Sequence, residues 1–328
     1  MDMNLYDNFL GIMIGTAVGD SLGLPFEGMS CKRIEKISKG KWRQRLILNK
    51  GMFSDDTEHT IFIAQSLLEH PDNANKFAKR FGWSLKLWVL SIPASIGFST
   101  LKSILKLWIG FSPKNSGVFS AGNGPAMRVS PMGAFFASNK ELLDEYVTIS
   151  TQITHTDPKA LTGSKAVAYI ISWIIREKLK AKPDLESFLK ILNSVEPRDK
   201  EWLGITDTIE KSCKENLSVQ DFVKKLGLKK GVTGYIYHTV PVAIYSWYRH
   251  FGNFKKTLSA VLACGNDTDT VGAITGAMAG CLVGKEGIPK SWIDNIIDWP
   301  RGVKILEQIA NNLFNKSKKV RYFWPGLI

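Results

Sequence analysis

Two short clusters of oxygen-bearing side chains are the parts of this sequence best suited to chemistry. Residues 54–57 read SDDT before an amphipathic stretch, and residues 266–270 read NDTDT before a run of small apolar residues. Helix capping would explain either cluster alone, because Ser, Thr, Asn and Asp accept hydrogen bonds from the first turn of a helix. Capping needs only one such residue, so the two clusters together indicate a further role.

The carboxylates of the two clusters predict a cation site. Asp55, Asp56, Asp267 and Asp269 would repel one another at neighbouring helix ends unless a cation lay between them. Carboxylate and hydroxyl oxygens suit Mg²⁺, Ca²⁺ or Mn²⁺ and disfavour zinc or copper. The sequence therefore favours a hard divalent ion held by two helix N-termini.

Two further stretches have features of a ligand site. Gly122, Asn123 and Gly124 form a glycine loop whose backbone N–H groups could bind phosphate oxygens, and Arg128 could add positive charge. An ordinary turn before a helix explains the same residues equally well. His155 lies in a polar stretch, THTDP, where a lone histidine is usually structural.

Composition narrows the class of protein. The net charge of +13 is densest in residues 36–50, which could contact nucleic acid, an acidic membrane surface or a polyanionic ligand. Without a nucleic-acid-binding motif beside it, this charge supports an anionic substrate and makes nucleic acid an unlikely partner. Four scattered cysteines indicate reduced thiols and a cytoplasmic protein.

Most of the chain has helical periodicity, and no alternating strands are evident. Residues 167–178, 185–195, 239–251 and 254–263 carry apolar side chains three and four positions apart. Residues 83–111 predict two helices joined near Pro93; lysines interrupt this region, so we expect no transmembrane segment. A single compact all-α domain over residues 1–328 is the simplest account, with a core of about 5–314 and a basic tail at 315–328.

Two sets of glycines predict a close contact between two central helices. The sets are Gly11, Gly15 and Gly19, and Gly272, Gly276 and Gly280. Residues four positions apart share one face of a helix, and glycine there lets another helix approach closely.

The order of these motifs resembles the ADP-ribosylglycohydrolase family. The motifs are residues 11–28 (GIMIGTAVGDSLGLPFEG), 54–57, 122–128 (GNGPAMR), 154–158 and 265–280 (GNDTDTVGAITGAMAG). The resemblance implies an all-α, ADP-ribosylglycohydrolase-like domain whose central cleft holds two divalent ions, Mg²⁺ or Mn²⁺. By motif position, the implied metal ligands are Ser54, Asp55, Asp56, Asp267, Asp269 and Thr270.

The resemblance also implies catalytic and substrate-binding roles. Glu27 matches an acidic residue beside the metals, and either Glu27 or Asp56 could be the general base. The loop of Gly122, Asn123 and Gly124 matches the segment that binds the diphosphate and distal ribose. His155 resembles a contact to the same part of the ligand, and Tyr235 is expected to flank the adenine.

The predicted activity is removal of mono-ADP-ribose from a modified protein, with arginine as the favoured acceptor and ADP-ribose as the product. Hydrolysis of ADP-ribosyl-serine or another conjugate, and non-catalytic ADP-ribose binding, are the alternatives. Residues 36–50, 83–111 and the tail match no family motif, and could recognise the modified protein. We expect a cytoplasmic enzyme, with secretion as an effector into a host cell as the alternative.

Overall fold

The computed structural model describes residues 5–91, 93, 95–297 and 301–321. In these residues the regular structure is helical, with six isolated β-bridges and no strand, which confirms the all-α prediction. The α-helices are α1 Leu5–Gly23, α2 Cys31–Ser38, α3 Asp55–Glu69, α4 Ala74–Val89, α5 Phe98–Trp108, α6 Ser130–Phe135, α7 Lys140–Gln152, α8 Pro158–Arg176, α9 Leu185–Asn193, α10 Lys200–Lys214, α11 Val219–Lys225, α12 Ile236–Arg249, α13 Phe254–Leu262, α14 Thr268–Val283, α15 Lys290–Ile293 and α16 Val303–Arg321.

The glycine sets form the seam between α1 and α14, as predicted. A Cβ atom added to Gly15 would lie 2.2 Å from the carbonyl oxygen of Gly276, and one added to Gly276 would lie 2.1 Å from that of Gly15. Gly19 and Gly272 face each other in the same way. The two backbones are therefore in direct contact, and both helices lie in the core.

The helix α1 with the turn that follows it, Leu5–Phe26, is long and apolar enough to cross a membrane. It is the one such helix in the described chain, and 89% of its most apolar window is buried inside the protein. This burial is what a core helix of a folded domain shows.

The other predicted helices are present with small shifts at their ends. The four periodic segments coincide with α8, α9, α12 and α13, and Pro93 lies in the connection between α4 and α5. Helix α16 packs on α1 and α3 and continues through Arg321, so the predicted tail begins as helix. Residues 322–328 lie outside the described part of the chain.

Candidate active site

The two oxygen-rich clusters meet at the N-termini of α3 and α14. Ser54 precedes α3; its Oγ accepts a hydrogen bond from the backbone N of Asp56 (3.3 Å) and donates one to Oδ2 of Asp56 (3.0 Å). Across the helix interface, Oγ1 of Thr270 donates to the same Oδ2 (3.4 Å). Asp267 occupies the N-cap position of α14, but its side chain makes no capping hydrogen bond. Capping therefore accounts for Ser54 and not for the aspartates.

Asp20, on α1, is a buried carboxylate that the sequence analysis did not select. It accepts hydrogen bonds from the backbone N of Ser54 (2.9 Å), from the backbone N of Thr57 (3.1 Å) and from Oγ1 of Thr57 (2.6 Å). Asp20 thereby holds the N-terminus of α3 against α1. Burial raises its pKa to about 7, against the lowering effect of these hydrogen bonds. The signal in the sequence that could have identified Asp20 is its place as an acidic residue in an otherwise apolar, glycine-lined helix.

The carboxylates at the meeting point are buried and repel one another. Burial is the main reason that the pKa values of Asp55, Asp56 and Asp269 are raised well above the usual range. The negative charges of neighbouring carboxylates raise these three pKa values further. The pKa of Asp267 is also raised by burial, although a hydrogen bond from Asn123 opposes the shift. Such a cluster is stabilised either by protons or by a cation.

Unpaired oxygens in this cluster fit a metal-binding role. Oδ1 of Asp56 and Oδ1 of Asp269 are buried, and neither has a hydrogen-bond partner among the described residues. A buried acceptor without a partner is costly and calls for an explanation such as a bound ion. The hydroxyls of Ser54 and Thr270 complete a set of hard oxygen donors. In the described ranges, no three Asp, Glu, His or Cys side chains are arranged so that they could together hold a metal ion. The two-ion site therefore stays a prediction.

Asn123 connects the glycine loop to this cluster. Its side-chain nitrogen donates to Oδ2 of Asp267 (2.6 Å) and to Oγ1 of Thr239 (2.9 Å). Its backbone N donates to the carbonyl of Gly234 (2.9 Å), and Gly122 pairs with Tyr235 in an isolated bridge. The structure thus brings the predicted loop, Tyr235 and the start of α14 together.

Arg128, which was expected to add positive charge to the ligand site, lies beneath the glycine loop. Its side chain is fully buried, and its terminal nitrogens donate to the carbonyls of Gly124 (3.1 Å) and Ser150 (2.9 Å) and to Oγ1 of Thr154 (2.7 Å). Burial lowers the pKa of Arg128 to about 9. Because protein oxygens occupy these donors, Arg128 supports the loop.

His155 is buried under the same loop. A Cβ added to Gly122 would lie 2.9 Å from Nε2 of His155, and one added to Gly124 would lie 3.4 Å from Cε1. The Nδ1 atom lies 2.9 Å from Oγ1 of Thr154. Burial first, and then the charge of Arg128, lower the pKa of His155 to about 3, so the imidazole is neutral. The glycines are needed because the imidazole packs against them.

The ring of Tyr235 is partly exposed and held in one orientation. Its hydroxyl donates to Oε1 of Glu201 (2.7 Å) and accepts from Nζ of Lys159 (3.0 Å), and its ring packs edge-on against His238. This arrangement leaves a fixed aromatic surface beside the glycine loop.

A cavity of about 270 Å³ lies beside Ser54 and Asp55. Glu58 and Arg301 line it, and Nη1 of Arg301 donates to Oε1 of Glu58 (2.6 Å). The indole of Trp88 donates to the other oxygen of Glu58. Glu58 and Arg301 were not predicted as site residues, because nothing in the sequence indicates that residues 243 positions apart form an ion pair.

Glu27 lies at the open edge of the cluster. Its side chain is exposed and accepts a hydrogen bond from Oγ of Ser95 (3.1 Å), a residue that lines the cavity. The charge of Glu27 also raises the pKa values of Asp55 and Asp269, which places it near both helix N-termini. The structure therefore brings Glu27 to the predicted metal ligands.

A comparison with known protein families agrees with this geometry. The sequence profile of the ADP-ribosylglycohydrolase family matches residues 1–322. The chain belongs to the ADP-ribosylglycohydrolase family. It is thereby a member of a family of hydrolases, which confirms the class that the ordered motifs had indicated.

Members of this family from distant organisms align along most of their length. The ADP-ribosylhydrolase ARH3 of Xenopus tropicalis is 25% identical over 87% of this chain and 89% of its own. The ADP-ribosyl-[dinitrogen reductase] glycohydrolase of Rhodospirillum rubrum is 25% identical, over 89% and 91%. The ADP-ribosylarginine hydrolase Tri1 of Serratia proteamaculans is 24% identical, over 92% and 79%.

A solved structure shows the same ADP-ribosylglycohydrolase fold. An ADP-ribosylglycohydrolase-related protein complex superposes with a TM-score of 0.66 at 21% identity, covering 95% of this chain and 99% of that one. The single-domain fold that carries the site is therefore the fold of the family.

Proposed function

We propose that this protein hydrolyses the bond between ADP-ribose and a modified protein side chain, with arginine as the acceptor. The observation that carries the proposal is the convergence of the α3 and α14 N-termini, where buried carboxylates keep oxygens without hydrogen-bond partners. Family membership supports the reaction class. The names of the relatives include an ADP-ribosylarginine hydrolase, which supports the acceptor.

The residues that would hold two Mg²⁺ or Mn²⁺ ions are Ser54, Asp55, Asp56, Asp267, Asp269 and Thr270. When bound, these ions supply a Lewis acid that polarises a substrate oxygen and lowers the pKa of a coordinated water. Asp20 holds the start of α3 in place through the backbone of Ser54. Asn123 orients Asp267 from the opposite side.

Glu27 is the better candidate for the general base. Its exposed carboxylate lies at the edge of the cluster, where water has access, and Ser95 orients it by a hydrogen bond. Oδ2 of Asp56 is already occupied by the hydroxyls of Ser54 and Thr270. We therefore assign proton abstraction from water to Glu27 and ligation to Asp56.

The glycine loop and Tyr235 would bind the ADP-ribose portion. The backbone N–H of Gly124 suits a phosphate oxygen, whereas that of Gly122 donates to Oγ of Ser120 (3.2 Å). Arg128 and His155 keep this loop in shape from below. The fixed, partly exposed ring of Tyr235 is suited to stacking with adenine.

The cavity beside Asp55 favours a cationic acceptor. Glu58 lines this cavity and already accepts a hydrogen bond from a guanidinium, that of Arg301. A carboxylate binds a guanidinium through charge-assisted hydrogen bonds, whereas a serine hydroxyl gains no such attraction.

The test is release of ADP-ribose from mono-ADP-ribosylated arginine and serine proteins, with Mg²⁺ and then with excess EDTA. We expect metal-dependent release from arginine that Asp55→Ala abolishes. Asp207→Ala, an exposed change on α10, is the matched control and should retain activity. Release from serine alone would overturn the acceptor, and retained activity in Asp55→Ala would overturn the metal-assisted reaction. ADP-ribose binding without release would support a non-catalytic protein.

A further inference from the structure

Large apolar side chains are exposed along α4 and α5 and at the residue that follows each helix. We call this surface the α4–α5 face; it includes Trp83, Leu87, Leu90, Phe98, Trp108 and Ile109. Phe98 is 70% exposed and Ile109 is 75% exposed. Scattered apolar residues are normal on a protein surface, but a dense group of this size marks an interaction site.

Lysines join the two helices into one continuous surface. Nζ of Lys86 lies 5.3 Å from the ring centroid of Trp83 on α4 and 4.6 Å from that of Trp108 on α5. Nζ of Lys102 lies 4.3 Å from the ring centroid of Phe98. The lysine stems therefore lie along apolar rings while their ammonium groups stay at the surface.

No carboxylate of the same segment offsets this positive charge. The sequence contains no aspartate or glutamate between Asp72 and Glu141, whereas Lys86, Lys102 and Lys106 all lie on α4 and α5. The α4–α5 face is thus both apolar and cationic, and a partner that complements it is apolar and anionic.

We propose that the α4–α5 face binds the surface of an anionic lipid bilayer. Peripheral membrane helices combine Trp, Phe and Leu with Lys, so that rings enter the boundary of the acyl chains while ammonium groups meet lipid phosphates. Protein–protein interfaces share the enrichment in Trp and Phe, but they are also enriched in Tyr and Arg and are depleted in Lys. Residues 83–119 contain neither Tyr nor Arg, which favours lipid over a protein partner.

The position of this face relates it to the cavity beside Asp55. Ser91, Pro93 and Ser95, from the connection between α4 and α5, line that cavity. The cavity is also lined by Leu46, which lies two residues before the 94% exposed Leu48 in the basic segment 36–50. Membrane binding through the α4–α5 face would therefore hold the cavity near the lipid surface. The binding itself does not rest on the proposed hydrolase activity.

The first experiment is co-sedimentation of the 328-residue protein with vesicles. The vesicles are phosphatidylcholine alone, or equal parts phosphatidylcholine and phosphatidylglycerol. We expect binding to the anionic vesicles that weakens as salt increases. Replacing Lys86, Lys102 and Lys106 together by Gln should lower this affinity about one hundredfold, since each lysine near a bilayer contributes about fivefold.

A matched control separates this face from the general positive charge of the protein. Lys229→Gln, Lys230→Gln and Lys255→Gln together remove the same charge from exposed positions elsewhere. This control should retain most of the vesicle affinity. An equal loss in the two triple variants would overturn the proposal, as would the absence of anionic-vesicle binding at physiological salt.

The apolar part of the proposal has its own test. Phe98→Ser with Ile109→Ser changes two exposed side chains, so we expect an unchanged circular dichroism spectrum and weaker binding to anionic vesicles. Unchanged vesicle binding would overturn the insertion of these side chains. The alternative partner of this face is a second copy of the chain, and sedimentation velocity tests it. A dimer of the unmodified protein that is absent in the double variant would assign the face to self-association and overturn the proposal.

Discussion

At the scale of single residues, Asp269 tests whether a cation belongs at the helix ends. In the metal-free protein its buried charge is repelled by neighbouring carboxylates. Asp269→Asn should therefore raise the free energy of unfolding of the metal-free protein at neutral pH. Mg²⁺ at about one hundred times its Kd should stabilise the unsubstituted protein by about 2.7 kcal/mol and should stabilise the variant much less.

Thermal unfolding with and without Mg²⁺ measures both effects without a substrate. Equal stabilisation of the two proteins by Mg²⁺ would remove Asp269 from the ligand set. A metal-free variant less stable than the unsubstituted protein would show that the charge of Asp269 has a structural partner.

Glu58 and Arg301 provide a second residue-scale prediction, on acceptor choice. Glu58→Gln preserves size and removes the charge, so the KM for an ADP-ribosyl-arginine protein should rise about threefold to tenfold. Arg301→Gln removes a competing guanidinium and should lower the same KM. Steady-state kinetics on arginine and serine substrates check both. If the two variants change KM in the same direction, Glu58 does not bind the acceptor.

His155 predicts a pH dependence of stability. Its pKa is lowered from 6.5 to about 3 in the folded protein, so the unfolded chain binds a proton first as pH falls. The stability that comes from the neutral imidazole is complete above pH 6.5 and is lost as pH falls towards 3. Between pH 7.5 and pH 5 the loss is about 2 kcal/mol. Urea unfolding at pH 7.5 and pH 5 measures this loss. The change in the free energy of unfolding between the two pH values should be smaller in His155→Gln by that amount, and an identical change in both proteins would contradict the assignment.

At the scale of elements, the contact between α1 and α14 depends on the absence of side chains. Gly276→Ala would place a Cβ 2.1 Å from the carbonyl of Gly15, so the two helices must separate. We expect a loss of about 1–3 kcal/mol in the free energy of unfolding. Gly204→Ala on α10 is the matched control, because its Cβ meets nothing within 4 Å and alanine favours a helix by about 1 kcal/mol. Chemical denaturation measures both, and equal effects would contradict the seam.

The helices were predictable from sequence, whereas their meeting points were only partly so. Amphipathic periodicity located α8, α9, α12 and α13, and the glycine spacing located the α1–α14 contact. The roles of Asp20 and of the Glu58–Arg301 pair depend on partners distant in sequence, which periodicity does not encode. Arg128 and His155 were identified, but their burial was not, because a charged or polar side chain gives no sign in the sequence that its position is buried.

At the scale of the whole molecule, the site exists because three helices converge. The seam fixes α14 against α1, and Oγ1 of Thr268 donates to the carbonyl of Gly23 (2.8 Å) where the seam ends. Asp20, on α1, fixes α3. The carboxylates are thus carried by rigid elements of the core, and the glycine loop is joined to them through Asn123. This rigidity keeps like charges close together before any ion binds.

The net charge of +13 leads to a last prediction, about substrate capture. ADP-ribose carries a diphosphate, so the field of the protein should accelerate encounter with an ADP-ribosylated protein, especially an acidic one. The Debye length falls from about 30 Å at 0.01 M salt to about 8 Å at 0.15 M. Over this range we expect kcat/KM to fall several-fold while kcat stays constant, because screening acts on encounter and not on the bound complex. A salt-independent kcat/KM, or a fall in kcat alone, would show that the overall charge serves a different partner than the substrate.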